Sequence, residues 1–162
     1  MTLPAAGPHD LTFTRRLRAS RKTVWRCWTE PDLLVQWFCP KPWQVSRCII
    51  DLRPGGHFLT DMAGPDGAEH KGEGGVFLDV VPMERLAFTS ALTKGWRPAT
   101  EPDGGFPVTI ILTLHDSADG GTLYDVLLLH RDAAGRDAHL AMGFNDGWGK
   151  ATEQLEDLAG SL

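Results

Sequence analysis

An α+β fold, with a strongly curved antiparallel sheet wrapped around one long C-terminal helix, is predicted by three features of the 162-residue sequence. The middle of the chain is a series of short segments rich in β-branched and aromatic residues, separated by Gly, Pro and Asp turns. Two short helical patterns follow directly after the first strand. The final segment carries its apolar residues at helical spacing. A sheet and a helix that each have one apolar face bury them against each other. Curvature of the sheet then tends to leave a cavity between the two, a usual place for a ligand.

Residues 1–8 read as a loose tail, and 9–162 as a single domain. Leu11, Phe13 and Leu17 alternate with Thr12, Thr14 and Arg16, which makes 11–17 a strand. Ser20 is a good N-cap, and Val24, Cys27 and Trp28 recur at helical spacing behind it. Pro31 ends that helix and opens a second, whose apolar side is Leu33, Leu34, Trp37 and Phe38. The CPKPW stretch is extended, because each proline disfavours helix in the residue before it. Strands are predicted at 44–52 and 57–63, joined by RPGG, in which Pro54 presets φ and Gly55 supplies the positive φ of a type II turn. After a turn at GPDG, a long strand is expected over 70–81, then PMER turns the chain into 86–92. Residues 93–107 form a long loop. Strands at 108–114 and 122–130 complete the sheet. A continuous helix is expected from about Asp137 to Leu158, with a stripe of Leu140, Phe144, Trp148, Ala151, Leu155 and Leu158. Gly143, Gly147 and Gly149 weaken its first half and leave room for something to pack close to it.

Composition narrows the function classes. The chain is 42% hydrophobic and 23% charged, which is enough to bury a core without metal or disulfide. Its net charge of −5 argues against nucleic acid, whose binding needs a basic patch. Three cysteines, Cys27, Cys39 and Cys48, without CxxC spacing, read as reduced thiols. The first residues lack the basic and apolar regions of a signal peptide, and no apolar run is long enough to span a membrane. The expected location is the cytoplasm.

The order of elements, together with VWRCWTEPDLLVQWF (24–38), PKPW (40–43), DLRPGGHF (51–58), GEGGVFLDVVPMERLAFT (72–89), GGTLYDVLLLHRD (120–132) and HLAMGFNDGWGKATEQL (139–155), resembles the helix-grip superfamily of START and Bet v-like domains, also called SRPBCC. Within it the chain resembles the activator of heat-shock-protein-90 ATPase homologue-like family. The resemblance runs almost end to end and implies the helix-grip fold in a small, mostly bacterial type of domain. It implies no particular reaction, because one fold hosts many functions. In the eukaryotic co-chaperone that gives the family its name, an additional N-terminal domain central to activating the chaperone precedes this one. This sequence shows no such domain, so the chaperone interaction is not expected to carry over.

The candidate chemistry lies in histidines and aromatics. His57, Asp61 and His70 would meet only if their strands pair in a suitable register, and no HExxH or HxH spacing occurs, so no metal is expected. His130, Arg131, Asp132 and His139 offer either an acid–base pair at a cavity mouth or, the preferred reading, a helix cap by Asp132 or Asp137. Cys27 and Trp28 are assigned to the core. Six tryptophans in one small domain are the stronger signal, since an indole that packs in a pocket also needs a partner for its N–H. The candidate cavity set is Trp37, Trp43, His57, Met62, Trp96, Phe106, Met142, Phe144 and Trp148, with His57 as its polar anchor if that side chain points inward. The first expectation is therefore a binding module for a small hydrophobic or lipid-like molecule, with no cofactor. The second is a small cyclase- or hydrolase-like enzyme using His57, His70 or His130 with Asp61 or Asp132. The third is a protein-interaction module of the chaperone-activator type. A homodimer through an exposed sheet edge is compatible with the sequence, which specifies none.

Overall fold

The computed structural model describes residues 3–162. It contains β1 (Asp10–Leu17), α1 (Arg21–Thr29), α2 (Pro31–Leu34), β2 (Gln44–Ile50), β3 (His57–Ala63), β4 (Glu69–His70), β5 (Gly75–Val81), β6 (Arg85–Thr89), β7 (Leu92–Thr93), β8 (Arg97–Pro98), β9 (Val108–Asp116), β10 (Thr122–His130), α3 (Ala133–Ala141) and α4 (Phe144–Gly160). The main sheet is antiparallel and runs β1-β10-β9-β6-β5-β3-β2, with the short β4 added to β3. β1 pairs with β10 along its whole length, from Asp10 opposite Leu129 to Leu17 opposite Thr122. The first strand is thus closed by the last, and the sheet holds α4 against its inner face.

Period-2 burial sets that face. In β10, Thr122, Tyr124, Val126, Leu128 and His130 are buried and the residues between them are half-buried. Leu86 and Phe88 of β6 and Leu112 and Leu114 of β9 join them in the core. From the helix side come Val24, Cys27 and Trp28 of α1, and Phe144, Ala151, Leu155 and Ala159 of α4. The α4 positions are seven, four and four residues apart, which is one face of a helix.

Local chemistry explains the element ends. The Ser20 hydroxyl accepts from the Thr23 amide and caps α1. Pro31 begins α2, where its missing N–H costs nothing. The Asp132 carboxylate accepts from the Gly135 amide at 2.8 Å and caps α3. In the RPGG turn, Gly55 has φ +80, and Gly56 lies so close to Asp51 that an added Cβ would sit 1.8 Å from the Asp51 carbonyl oxygen. At the start of the chain, Met1 and Thr2 of the expected tail lie outside the described residues. The rest of the tail is tied down at its end: the Gly7 amide donates to the Asp10 carboxylate at 2.6 Å, and Arg136 donates to the Pro8 carbonyl.

Three elements differ from the sequence expectation. The long strand over 70–81 is two strands, because residues 71–74 (KGEG) leave the sheet, Gly74 taking φ +71, before β5 rejoins β3 at Phe58–Gly75. The 93–107 loop contains a small hairpin, β7–β8, and a 3-10 turn at Asp103–Gly105. The continuous C-terminal helix is broken. α3 ends at Ala141, Gly143 adopts φ +84, and α4 starts afresh at Phe144. A left-handed residue cannot continue an α-helix, and glycine is the residue that takes it without steric cost.

Candidate ligand-binding cavity

The break at Gly143 builds the site. It turns α3 away from α4 and leaves the first two turns of α4 facing the α1–α2 segment across a cavity of about 340 Å³. Trp28 and Trp37 form the floor, with Phe38 and Pro40 beside them. Phe144, Gly147, Trp148 and Ala151 of α4 form one wall, and Met62 reaches in from β3. Met142, 66% exposed, and His139 stand at the remaining side with Gly143. An added Cβ at Gly147 would meet nothing within 4 Å, so the space beside that residue is open.

The aromatic floor is one interlocked cluster. Trp28 meets Trp37 edge-on at 5.0 Å and Phe38 edge-on at 5.9 Å, and stacks on Trp148 at 6.5 Å. Such pairs hold ring orientation beyond simple area burial. The Trp37 indole donates to the Cys27 carbonyl at 2.9 Å, which fixes that ring from below. Behind Trp28 the core contains the Tyr124 hydroxyl, whose polar neighbours are the Trp28 indole and Thr152. None of these three buried groups has a well-aligned hydrogen bond among the described residues, and burial pushes the Tyr124 phenol far above its usual range.

The polar part of the wall is His139, backed by the buried His130. Strand alternation turns His130 inward at the end of β10, where its Nδ1 lies 3.0 Å from the His9 carbonyl oxygen. Its Nε2 lies 3.0 Å from His139 Nδ1. Burial, with His130 nearby as the smaller cause, pushes His139 down to about 4, so its ring is uncharged at neutral pH. Phe106 and Phe144 pack on His139 at 5.1 and 5.2 Å.

Of the nine candidate residues, Trp37, Met62, Met142, Phe144 and Trp148 line this cavity, and Trp43, His57, Trp96 and Phe106 do not. Phe106 is buried behind the wall, between the two histidines and a smaller cavity of about 200 Å³ on the far side of α3. The Trp43 ring lies against Gly64, where an added Cβ would come within 2.6 Å of it. Trp96 is 55% exposed and lies over Gly55, covering the RPGG turn. His57 Nε2 donates to the Glu73 carbonyl at 2.9 Å; the same oxygen accepts from Thr93, and the Glu73 carboxylate takes the Thr100 hydroxyl. Glu73, held by His57, therefore fastens the 93–107 loop to the sheet. The cavity also uses seven residues outside the nine: the side chains of Trp28, Phe38, Pro40, His139 and Ala151, with Gly143 and Gly147. For His139 a signal existed, its place on the turn before Phe144, and strand alternation in β10 put His130 on the same face as Leu128.

The remaining chemistry is limited. His70 sits opposite Met62 in β4, and no group of three or more His, Cys, Asp or Glu side chains suited to a metal occurs among the described residues. Burial pushes the Cys27 and Cys48 thiols up to about 11, which keeps them protonated and poorly nucleophilic. Among the described residues no helix is long and apolar enough to cross a membrane.

Comparison with known proteins places this geometry. A crystal structure of a Nitrosomonas europaea protein is 40% identical, superposes with a TM-score of 0.89, and matches over 98% of this chain and 99% of that one. A Rhodobacter sphaeroides protein, 23% identical over 98% of this chain and 97% of that one, shares the fold with a TM-score of 0.80. A protein of Aeromonas hydrophila described as AHSA1-like does so at 20% identity and a TM-score of 0.69, over 94% of this chain and 92% of that one. No curated protein matches. The sequence model described as "Activator of Hsp90 ATPase homolog 1-like protein" matches residues 18–160, and the chain belongs to that family, with its helix-grip fold.

Proposed function

We propose that this domain, residues 9–162, binds a small, largely apolar molecule in the cavity between α4, the α1–α2 segment and β3. The observation that carries the reading is the cavity itself: about 340 Å³, within the range of small-molecule sites, and walled mainly by tryptophan, phenylalanine and methionine. Methionine walls adapt to ligands of different shape, and the aromatic floor supplies flat contact area. Three free cysteines, two of them buried, fit a protein kept in a reducing compartment such as the cytoplasm.

Paired native and denaturing mass spectrometry of freshly purified protein tests this, together with titration of N-phenyl-1-naphthylamine, a neutral apolar dye that fluoresces when it leaves water. A small molecule lost on denaturation, or saturable dye fluorescence, is expected. A clean apo mass together with no dye binding would sink the reading.

A further inference from the structure

The apolar walls leave the class of ligand open, and the histidine pair narrows it. His130 Nδ1 faces the His9 carbonyl oxygen at 3.0 Å. A carbonyl oxygen only accepts, so His130 carries a proton on Nδ1. Whenever both rings are uncharged, His130 Nε2 is then a bare acceptor. The proton in the 3.0 Å contact between the rings therefore belongs to His139 Nδ1. A neutral imidazole with its proton on Nδ1 has a lone pair at Nε2. No donor among the described residues bonds His139 Nε2. His139 is also the one titratable side chain among the described residues that line the cavity, and Phe106 and Phe144 hold its ring in place. A backbone carbonyl 130 positions away in sequence thus fixes, through one relay ring, which kind of polar group the cavity wall presents.

We infer that the cavity is built for a neutral apolar molecule that carries a hydrogen-bond donor, a hydroxyl, phenol or N–H, directed at His139 Nε2. A methyl ether or a carboxylate anion of the same shape would bring its own lone pairs to that nitrogen and lose the contact. This rests on the cavity being the ligand site.

Two measurements test it. Two-bond ¹H–¹⁵N correlation spectra of the histidine rings at pH 8, above the ordinary histidine range, read the tautomers directly in the unaltered protein. His139 is expected to show a protonated Nδ1 and a bare Nε2, and a protonated Nε2 overturns the inference. Competition against N-phenyl-1-naphthylamine at the same pH then compares 2-naphthol with 2-methoxynaphthalene. One net hydrogen bond predicts about fivefold tighter binding of 2-naphthol, and His139→Phe should bring the two compounds level with each other; the ratio of the two competition constants is the readout, because the dye carries an N–H of its own and is expected to weaken too. Equal affinities in the wild type overturn the donor preference and leave the cavity reading standing. Failure of the dye and of both compounds to bind removes the cavity reading, and the inference with it.

Discussion

Replacing Gly147 with leucine should stabilise this protein and disable it in the same step. Gly147 is the fourth residue of α4, with an ordinary helical hydrogen bond from its amide to the Gly143 carbonyl at 2.8 Å. Glycine in a helix costs about 0.8–1 kcal/mol relative to alanine, and leucine is nearly as good a helix former as alanine. An added Cβ meets nothing within 4 Å, so no clash offsets the gain. For a domain of this size, about 0.8 kcal/mol raises Tm by about 2–3 °C. The leucine side chain would project into the cavity that the aromatic walls enclose. Losing about 50 Å² of apolar contact, at about 25 cal/mol per Å², weakens a ligand by about 1.3 kcal/mol, or about tenfold. Differential scanning fluorimetry and the dye titration read the two effects separately. A Gly147→Leu variant with a raised Tm and undiminished dye affinity would refute the placement of the ligand. A fall in Tm of several degrees would refute the claim that the space is open.

Other perturbations should act through the features already described. His139 is held uncharged by burial down to about pH 4, whereas in the unfolded chain it takes a proton at about 6.5. The unfolded state therefore binds more protons between those values, so stability falls as pH is lowered through that window. By pH 4.5 the loss is about 1 kcal/mol after allowance for the ring's partial exposure. Urea melts at pH 7 and 4.5 should show this loss in the wild type beyond any shared by His139→Phe, and identical pH slopes would count against it. Gly56→Ala should cost about 3 kcal/mol in the same melts, because the Cβ would meet the Asp51 carbonyl at 1.8 Å and backbone cannot swing aside. A cost below about 1 kcal/mol would mean that the turn is looser than the structure has it. Leu155→Ala removes a fully buried α4 side chain and should cost about 2–5 kcal/mol; a cost near zero would show that α4 is not seated on the sheet.

The fold was legible because its signals are local and periodic. Alternation in 122–130, the Ser20 cap, Pro31 at a helix start and the stripe from Phe144 to Leu158 each act within a few residues, and the structure keeps them; Leu140, expected at the head of that stripe, is instead exposed on α3, because the break at Gly143 takes it off the α4 face. The expectations that changed depend on competition between neighbours. Residues 71–74 leave the sheet because β3 is occupied by β2 on one edge and shared between β4 and β5 on the other. The C-terminal pattern is helical throughout, yet Gly143 can also take a left-handed φ, and packing on both sides decides that it does.

An antiparallel sheet around a C-terminal helix, and a surplus of tryptophan for a core of this size, follow from the order of residues alone. Hydrophobic periodicity and turn chemistry are properties of short stretches of chain, so they can be read from it. Which of those aromatics face open space is settled only when the elements pack. Trp43 and Trp96 cover the glycines at 64 and 55, Trp28 and Trp148 line the cavity, and His57 holds Glu73. Whether a side chain is covered depends on every element packed against it, and a pairing such as His9, His130 and His139 joins residues far apart in the sequence. No local pattern encodes that convergence, because it arises only when the sheet closes β1 onto β10 and α3 turns back across their ends.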